Sequence, residues 1–264
     1  MRKSLLWRLS GLFLAAVLIL SSSCSKPPES KARSTATTSP AQPVYYKVDP
    51  ATSGVIAGKV VFEGKRPPRK IIDMSEDADC SKLHKAPLYD QSVVVSSSGS
   101  IENVFVYVKH GLEGKAFVTP SQPVILDQKG CWYTPRVFGI QTRQILKVVN
   151  SDPVTHNIHP MAHDNRAWNQ SQDPGAAPLM RHFIRPEIMI PVKCNVHAWM
   201  RAWIGVLDHP YFSVTGEDGR FEIRNLPPGD YTIEAWQEKL GTQEQKISLP
   251  ASGKQSLVFT FKGA

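Results

Sequence analysis

Residues 213–262 read SVTGEDGRFEIRNLPPGDYTIEAWQEKLGTQEQKISLPASGKQSLVFTFK, and this stretch decides the fold class. Apolar and polar residues alternate through Phe221 and Ile223 and again through Tyr231, Ile233 and Ala235. A period of two places every second side chain on one face of a strand. The runs are broken at Asp218-Gly219 and at Pro227-Pro228-Gly229, turn sequences in which proline presets φ and glycine accepts a positive φ. The stretch predicts antiparallel strand pairs.

The same signature continues upstream. Short β-type runs occupy Val55 to Phe62, Ser92 to Val95, Val104 to Val108, Pro123 to Leu126, Gln144 to Val149, Glu187 to Val192 and Trp203 to Leu207, with Gly, Pro and Asp between them. Gly99-Ser100, flanked by two such runs, predicts a hairpin. Many short strands without a sustained 3.6-residue period argue for an all-β sandwich or barrel. The segment Ala162 to Leu179 lacks strand character and is long for a loop, the mark of a functional excursion.

The turn-bearing pattern has a specific form: Thr215-x-x-Asp218-Gly219-x-Phe221-x-Ile223-x-x-Leu226-Pro227-Pro228-Gly229-x-Tyr231. It resembles the carboxypeptidase regulatory-like, transthyretin-like β-sandwich. That resemblance implies a small C-terminal module over 211–264 with a structural or docking role. About 50 residues bury little surface alone, so the module is expected to pack on the preceding domain or to recruit the Val55 to Phe62 strand.

The chemistry lies elsewhere. Of four cysteines, Cys194 stands in Lys193-Cys194-Asn195-Val196-His197-Ala198-Trp199-Met200, directly after a strand-like run. A thiolate, an imidazole and a thioether in one tight loop form a soft donor set, suited to copper rather than to magnesium or calcium. A trigonal two-histidine, one-cysteine centre with a weak axial methionine needs one more imidazole. The run Asn150-Ser151-Asp152-Pro153-Val154-Thr155-His156-Asn157-Ile158-His159 supplies it, from His156 or from His159.

These two segments together resemble the type 1 (blue) copper cupredoxins, most closely the amicyanin, pseudoazurin and plastocyanin group. The resemblance covers about residues 136–208 and implies a Greek-key β-sandwich, here elaborated, over 54–210. It implies one copper ion held by His156, Cys194, His197 and Met200, with Asn157 bracing the ligand loop beside the sulfur. It also implies that His197 presents its ring edge to solvent through an apolar patch, for which Pro160, Met161, Ala198 and Trp199 are the candidates. His163 or His159 could mark a second, labile metal site. His84 and His110 are expected to face solvent.

Cys80 and Cys131 sit in polar, turn-like contexts far from the ligand loop. A disulfide between them leaves Cys194 free as a thiolate, and closing such a loop contributes on the order of 4 kcal/mol in the chain-entropy model. With four ligands the metal has no open position for a small-molecule substrate. No Gly-x-Ser-x-Gly, Walker loop or His-Glu-x-x-His occurs. The expected function is therefore not catalysis but transfer of single electrons between redox proteins such as a cytochrome or an oxidoreductase. A copper carrier using the same ligands, and a metal-free surface-binding module, are the alternatives.

The ends and the composition bound this reading. Arg2, Lys3 and Arg8, then Leu12 to Leu20, then Ser21-Ser22-Ser23-Cys24, form the charged, apolar and small-residue regions of a secretory signal over 1–24. The ending resembles a lipoprotein signal, with Cys24 as the lipidated residue, although Leu20 lies four rather than three positions before it. Such a leader predicts an exported, periplasmic or cell-surface protein anchored to the membrane by lipid. Residues 25–53, rich in Ser, Thr, Pro and Ala, read as a flexible tether. The uninterrupted apolar stretch Gly11 to Leu20 is about half of the ~20 residues that a spanning helix needs. Across 264 residues, 41% hydrophobic and 20% charged is ordinary globular composition. Loss of the three leader cations lowers the formal net charge from +8 to +5. Only Lys65 to Lys70 is a basic cluster, so a nucleic-acid partner is not expected.

Overall fold

The computed structural model describes residues 44–263; the leader, Cys24 and most of the tether lie outside the described residues. In chain order the strand β1 (Gly54–Glu63) is followed by a five-residue helix, α1 (Ala78–Lys82). Then come β2 (Val94–Val95), β3 (Ile101–Glu102), β4 (Phe105–His110), β5 (Val124–Gln128), β6 (Tyr133–Thr134), β7 (Val137–Gln141) and β8 (Leu146–Asn150). The next five are β9 (His156–Pro160), β10 (Gln170–Gln172), β11 (Leu179–Arg181), β12 (Glu187–Lys193) and β13 (Arg201–Leu207). The chain closes with β14 (Phe212–Val214), β15 (Arg220–Leu226), β16 (Gly229–Gln237), β17 (Gly241–Leu249) and β18 (Lys254–Lys262). The protein is all-β, and among the described residues no helix is long and apolar enough to cross a membrane.

The strands form two sandwiches, and the chain does not fill them in order. In the first, the sheet β15-β1-β18 faces the sheet β14-β4-β16-β17. Their inward residues, among them Ile56, Val60, Val106, Val108, Ile223, Ile233, Phe259 and Phe261, make one apolar core. β1 runs parallel to β18 from Val55↔Lys254 to Glu63↔Lys262 and antiparallel to β15. Gly219, with φ at +70°, closes the turn before β15, where a Cβ would stand 2.6 Å from the Val60 carbonyl oxygen. In the second sandwich, β10-β9-β12-β13-β7 faces β11-β8-β5-β6 around Leu126, Ile140, Leu146, Val148, Ile158, Ile190 and Ile204.

A division at residue 210 is therefore not where the sheets divide. β4, expected in the copper domain, belongs to a sheet completed by C-terminal strands, and β1, placed within 54–210 but also expected as a strand the C-terminal module recruits, pairs with β15 and β18. The second sandwich is an insertion between β4 and β14. The physical reason is burial: β15 to β18 cannot cover both faces of a core alone, and two strands from earlier in the chain complete it. Nor does the tether run free as far as Ser53. The Tyr46 N–H donates to the Ala116 carbonyl at 2.7 Å, and its ring meets Phe117 edge-on.

The sandwiches meet along β7 and β13, whose parallel register sets Gly139 beside Gly205. A Cβ at Gly139 would lie 2.3 Å from the Phe212 ring, and one at Gly205 would lie 2.5 Å from Phe105. The bare backbone thus gives Phe105 and Phe212, stacked with centroids 5.5 Å apart, a flat surface to pack on. The 162–179 segment, read as a loop, contains the edge strand β10; three polar residues carry no period a sequence reading could use. Gln172 in it is buried and accepts from the Gln128 side-chain amide at 2.8 Å.

Candidate metal centre

β12 and β13 are antiparallel, with Lys193 opposite Arg201, so residues 194–200 form the loop that joins them. The loop is tight because the Met200 N–H donates to the His197 carbonyl and the Cys194 N–H to the Met200 carbonyl, at 3.1 and 3.3 Å. β12 also pairs with β9, Lys193 opposite His159, which lays the loop against the strand that begins at His156. His156, Cys194 and His197 come together at the second core, in which Met200 is also buried, none of the four more than 3% exposed. Donor atoms of His156, Cys194 and His197 all lie within 4.8 Å of one another.

The orientation of the two imidazoles is the informative feature. His156 Nε2 lies 2.7 Å from an Asp152 carboxylate oxygen, and His197 Nε2 lies 2.9 Å from an Asp77 carboxylate oxygen. A carboxylate only accepts, so each Nε2 carries the proton and each Nδ1 is left with its lone pair. The two Nδ1 atoms face each other at 3.1 Å, and Cys194 Sγ stands 3.8 Å from His197 Nδ1. Burial pushes His156 below the ordinary histidine range, against the pull of Asp152, which favours the neutral ring. Two inward-facing ring nitrogens beside a sulfur are the donor types that suit a soft transition-metal ion. The Cys194 sulfur itself accepts from the Val196 and His197 N–H groups, each at 3.4 Å.

Around these groups is a supporting layer. The Asn157 side-chain oxygen accepts from the Asn195 N–H at 3.1 Å, and its amide donates to Asn169 at 2.6 Å. Asn157 thus holds the residue that follows the cysteine, and Asn169, from the 162–179 segment, holds Asn157. Cys80 and Cys131 are joined by a disulfide, both fully buried. It lies against the site, with Cys80 Sγ 3.4 Å from His197 Nε2. Each of its cysteines also fixes one carboxylate. Asp77 caps α1 and accepts from the Cys80 N–H at 2.9 Å, and Asp152 accepts from the Cys131 N–H at 2.7 Å. The Cys80 N–H and then His197 hold the Asp77 carboxyl below its usual range. Outer partners of this kind set ring orientation and ligand basicity.

Several expected positions lie elsewhere. His197 does not present its edge to solvent: it is 1% exposed, covered by Asp77, α1 and the disulfide. Pro160 is buried, whereas Met161 and Ala198 are exposed and Trp199 is half-buried. His159 points away from the centre, toward the Asn195 side-chain oxygen at 3.4 Å, and His163 is exposed and pairs with Asp164. His84 does not face solvent; it is half-buried and donates to the Gly130 carbonyl at 2.7 Å, while His110 is exposed. Asp77 and Asn169 escape a reading of the sequence, because nothing local marks them. Asp152 lies only four residues before His156, and that spacing is the available signal.

Comparison with known proteins finds no matching family model and no matching curated protein. Among solved structures the chain is similar to the Cu-containing nitrite reductase (NirK) from Thermus scotoductus SA-01. The match is 18% identical over 38% of this chain and 25% of that one, with a TM-score of 0.31. It is similar also to an oxidized amicyanin mutant with glycine in place of a proline, 15% identical over 44% of this chain and 98% of that one, TM-score 0.29. A second oxidized amicyanin mutant, with alanine in place of a proline, matches at 16% identity over 32% of this chain and 81% of that one, again with a TM-score of 0.29. The chain spans a quarter of the length of the nitrite reductase that it matches.

Proposed function

We propose that the inserted sandwich holds one type 1 copper ion and that the protein carries single electrons between redox proteins. His156 Nδ1, Cys194 Sγ and His197 Nδ1 would hold the ion, with Met200 as a weaker fourth ligand. The observation that carries the reading is the pair of Nδ1 atoms held face to face at 3.1 Å beside the Cys194 sulfur, with each Nε2 turned outward onto a carboxylate. Imidazole and thiolate donors are the set that suits copper. When bound, copper supplies a one-electron Cu(I)/Cu(II) couple.

The chain's own residues do the rest. Asp152 and Asp77 fix the two rings so that Nδ1 is the donor in each. The Val196 and His197 amides stabilise the sulfur as a thiolate, and Asn157 keeps the loop from moving. Burial keeps water from the donor atoms, so the same geometry serves both oxidation states. The cover over His197 also favours retention of the ion over exchange, which separates an electron carrier from a copper carrier. By the same proposal the protein is exported, anchored through a lipidated Cys24, and meets its partners at the membrane surface.

The test is copper retention and redox cycling. The whole chain loaded with one equivalent of copper should hold it against a strong chelator for hours, and a mild oxidant and reductant should cycle it reversibly. Rapid loss to the chelator would favour a carrier, and failure to take up stoichiometric copper would overturn the reading in favour of a metal-free module.

A further inference from the structure

We propose that the surface which exchanges electrons with this protein is a groove centred on Trp199, and that it receives a redox protein through a negatively charged face. The inference rests on the copper reading and goes beyond it by naming where a partner docks and of what charge.

The argument begins with what is closed. His156 is fully buried with Asp152 on its Nε2, and His197 has Asp77 on its Nε2 with the disulfide beside it. A partner cannot touch either ring. The Trp199 ring packs on His197 with centroids 5.1 Å apart, and its indole N–H donates to the Cys131 carbonyl at 3.0 Å, which fixes its orientation. Its remaining surface lines a cavity of about 300 Å³ together with Trp132, Trp203, Arg136, Arg201 and Lys239. An aromatic in contact with a ligand ring at one end and with a surface groove at the other joins the buried centre to the outside.

The groove has the make-up of a docking site. Three half-buried tryptophans stand in it, and aromatic residues and arginine are the types enriched at the centres of interfaces. Arg136 is neutralised within the groove by the two-pronged Glu238 carboxylate at 2.8 to 3.0 Å, which also accepts from the Trp203 indole at 2.8 Å. Arg201 and Lys239 are exposed cations on the lining, against the single further carboxylate of Asp90. An anionic face would be drawn to this lining. The apolar face around Met161 offers no comparable contact with either imidazole among the described residues.

Two measurements test the proposal, one of them independent of copper. In the metal-free whole chain, the paramagnetic anion hexacyanochromate(III) should broaden the indole N–H resonances of Trp132, Trp199 and Trp203. The double variant Arg201→Glu/Lys239→Glu should abolish that broadening. In the copper-loaded protein, stopped-flow oxidation by ferricyanide moves one electron from the Cu(I) centre to give ferrocyanide, with no atom or proton transferred. The double variant should slow it about tenfold and speed oxidation by the cation tris(phenanthroline)cobalt(III) by a similar factor. Trp199→Leu should slow both oxidants with the visible band unchanged, whereas Met161→Glu should change the ferricyanide rate by less than about twofold. Broadening confined to another face, or a Met161→Glu effect larger than that of the double variant, would overturn the groove even in a protein whose copper cycles normally. A protein that takes up no copper would fail the electron-carrier reading, and that result is visible separately from the anion mapping.

Discussion

The two sandwiches solve the same packing problem with opposite materials. The first fills its core with aliphatic and aromatic side chains, and its stability is a matter of apolar area and fit. The second buries two histidines, a free cysteine, an aspartate, an arginine, two asparagines and four glutamines within or beside an equally apolar core. Such groups are costly unless they meet partners. Here carboxylates and backbone groups supply most of them, while the Gln128 and Gln141 side-chain oxygens go without. The lesson is a division of labour, in which one unit is a scaffold and the other accepts costly polar burial to hold a site.

Four perturbations should break or sharpen that contrast. The largest effect is expected from Phe259→Ala in the first core, where the ring is fully buried against Phe221. Chemical denaturation should show a loss of about 3–5 kcal/mol, while protein that remains folded still binds copper. Removing the disulfide as Cys80→Ala/Cys131→Ala should cost up to about 4 kcal/mol and, unlike the first change, should also speed copper loss to a chelator, because the two backbone segments whose N–H groups hold Asp77 and Asp152 are no longer tied together over the site. Asp77→Ala should leave global stability nearly intact yet weaken copper retention about tenfold. Asp77→Asn, whose amide oxygen can still accept from Nε2, should recover most of it.

The smallest effect concerns pH. His209 lies in the first unit's connection to the insertion, donating from Nε2 to the Val108 carbonyl and accepting the Tyr211 N–H at Nδ1. Burial pushes it below the ordinary histidine range. Because the unfolded chain then takes up the proton first, its contribution is full above pH ~6.5 and is lost as pH falls below that value, by at most about 1.4 kcal/mol per pH unit. Melting temperatures between pH 7.5 and 5.5 should therefore fall more steeply in the wild-type chain than in His209→Gln. Equal slopes would remove His209 from the account.

What can be read in the sequence is local. The loop from Cys194 to Met200, the His156-Asn157 pair and the turns at Gly219 and Pro227-Pro228-Gly229 carry their meaning within a few residues, and the all-β class follows from strand periodicity. What cannot be read is long-range. That a C-terminal module of about 50 residues draws on Val55 to Phe62 follows from how little it buries alone, but nothing in that run names Lys254 to Lys262 as its parallel partner, because register and direction are decided by which faces remain to be covered. The cover over His197 is hidden for the same reason. Asp77 reaches that ring from 120 residues away, so a histidine expected at the surface lies inside. Pro160 differs again: its strand gives no polar alternation by which to tell its faces apart, and it turns inward.

The central claim is that Cys194 and the two facing imidazoles form one metal centre. The most direct test is visible absorption and EPR of the whole chain with one equivalent of Cu(II), beside its Cys194→Ser variant. The account predicts an intense thiolate-to-copper band with narrow copper hyperfine splitting in the wild-type chain and its loss in the variant. A colourless wild-type protein, or a band that survives in Cys194→Ser, would contradict it.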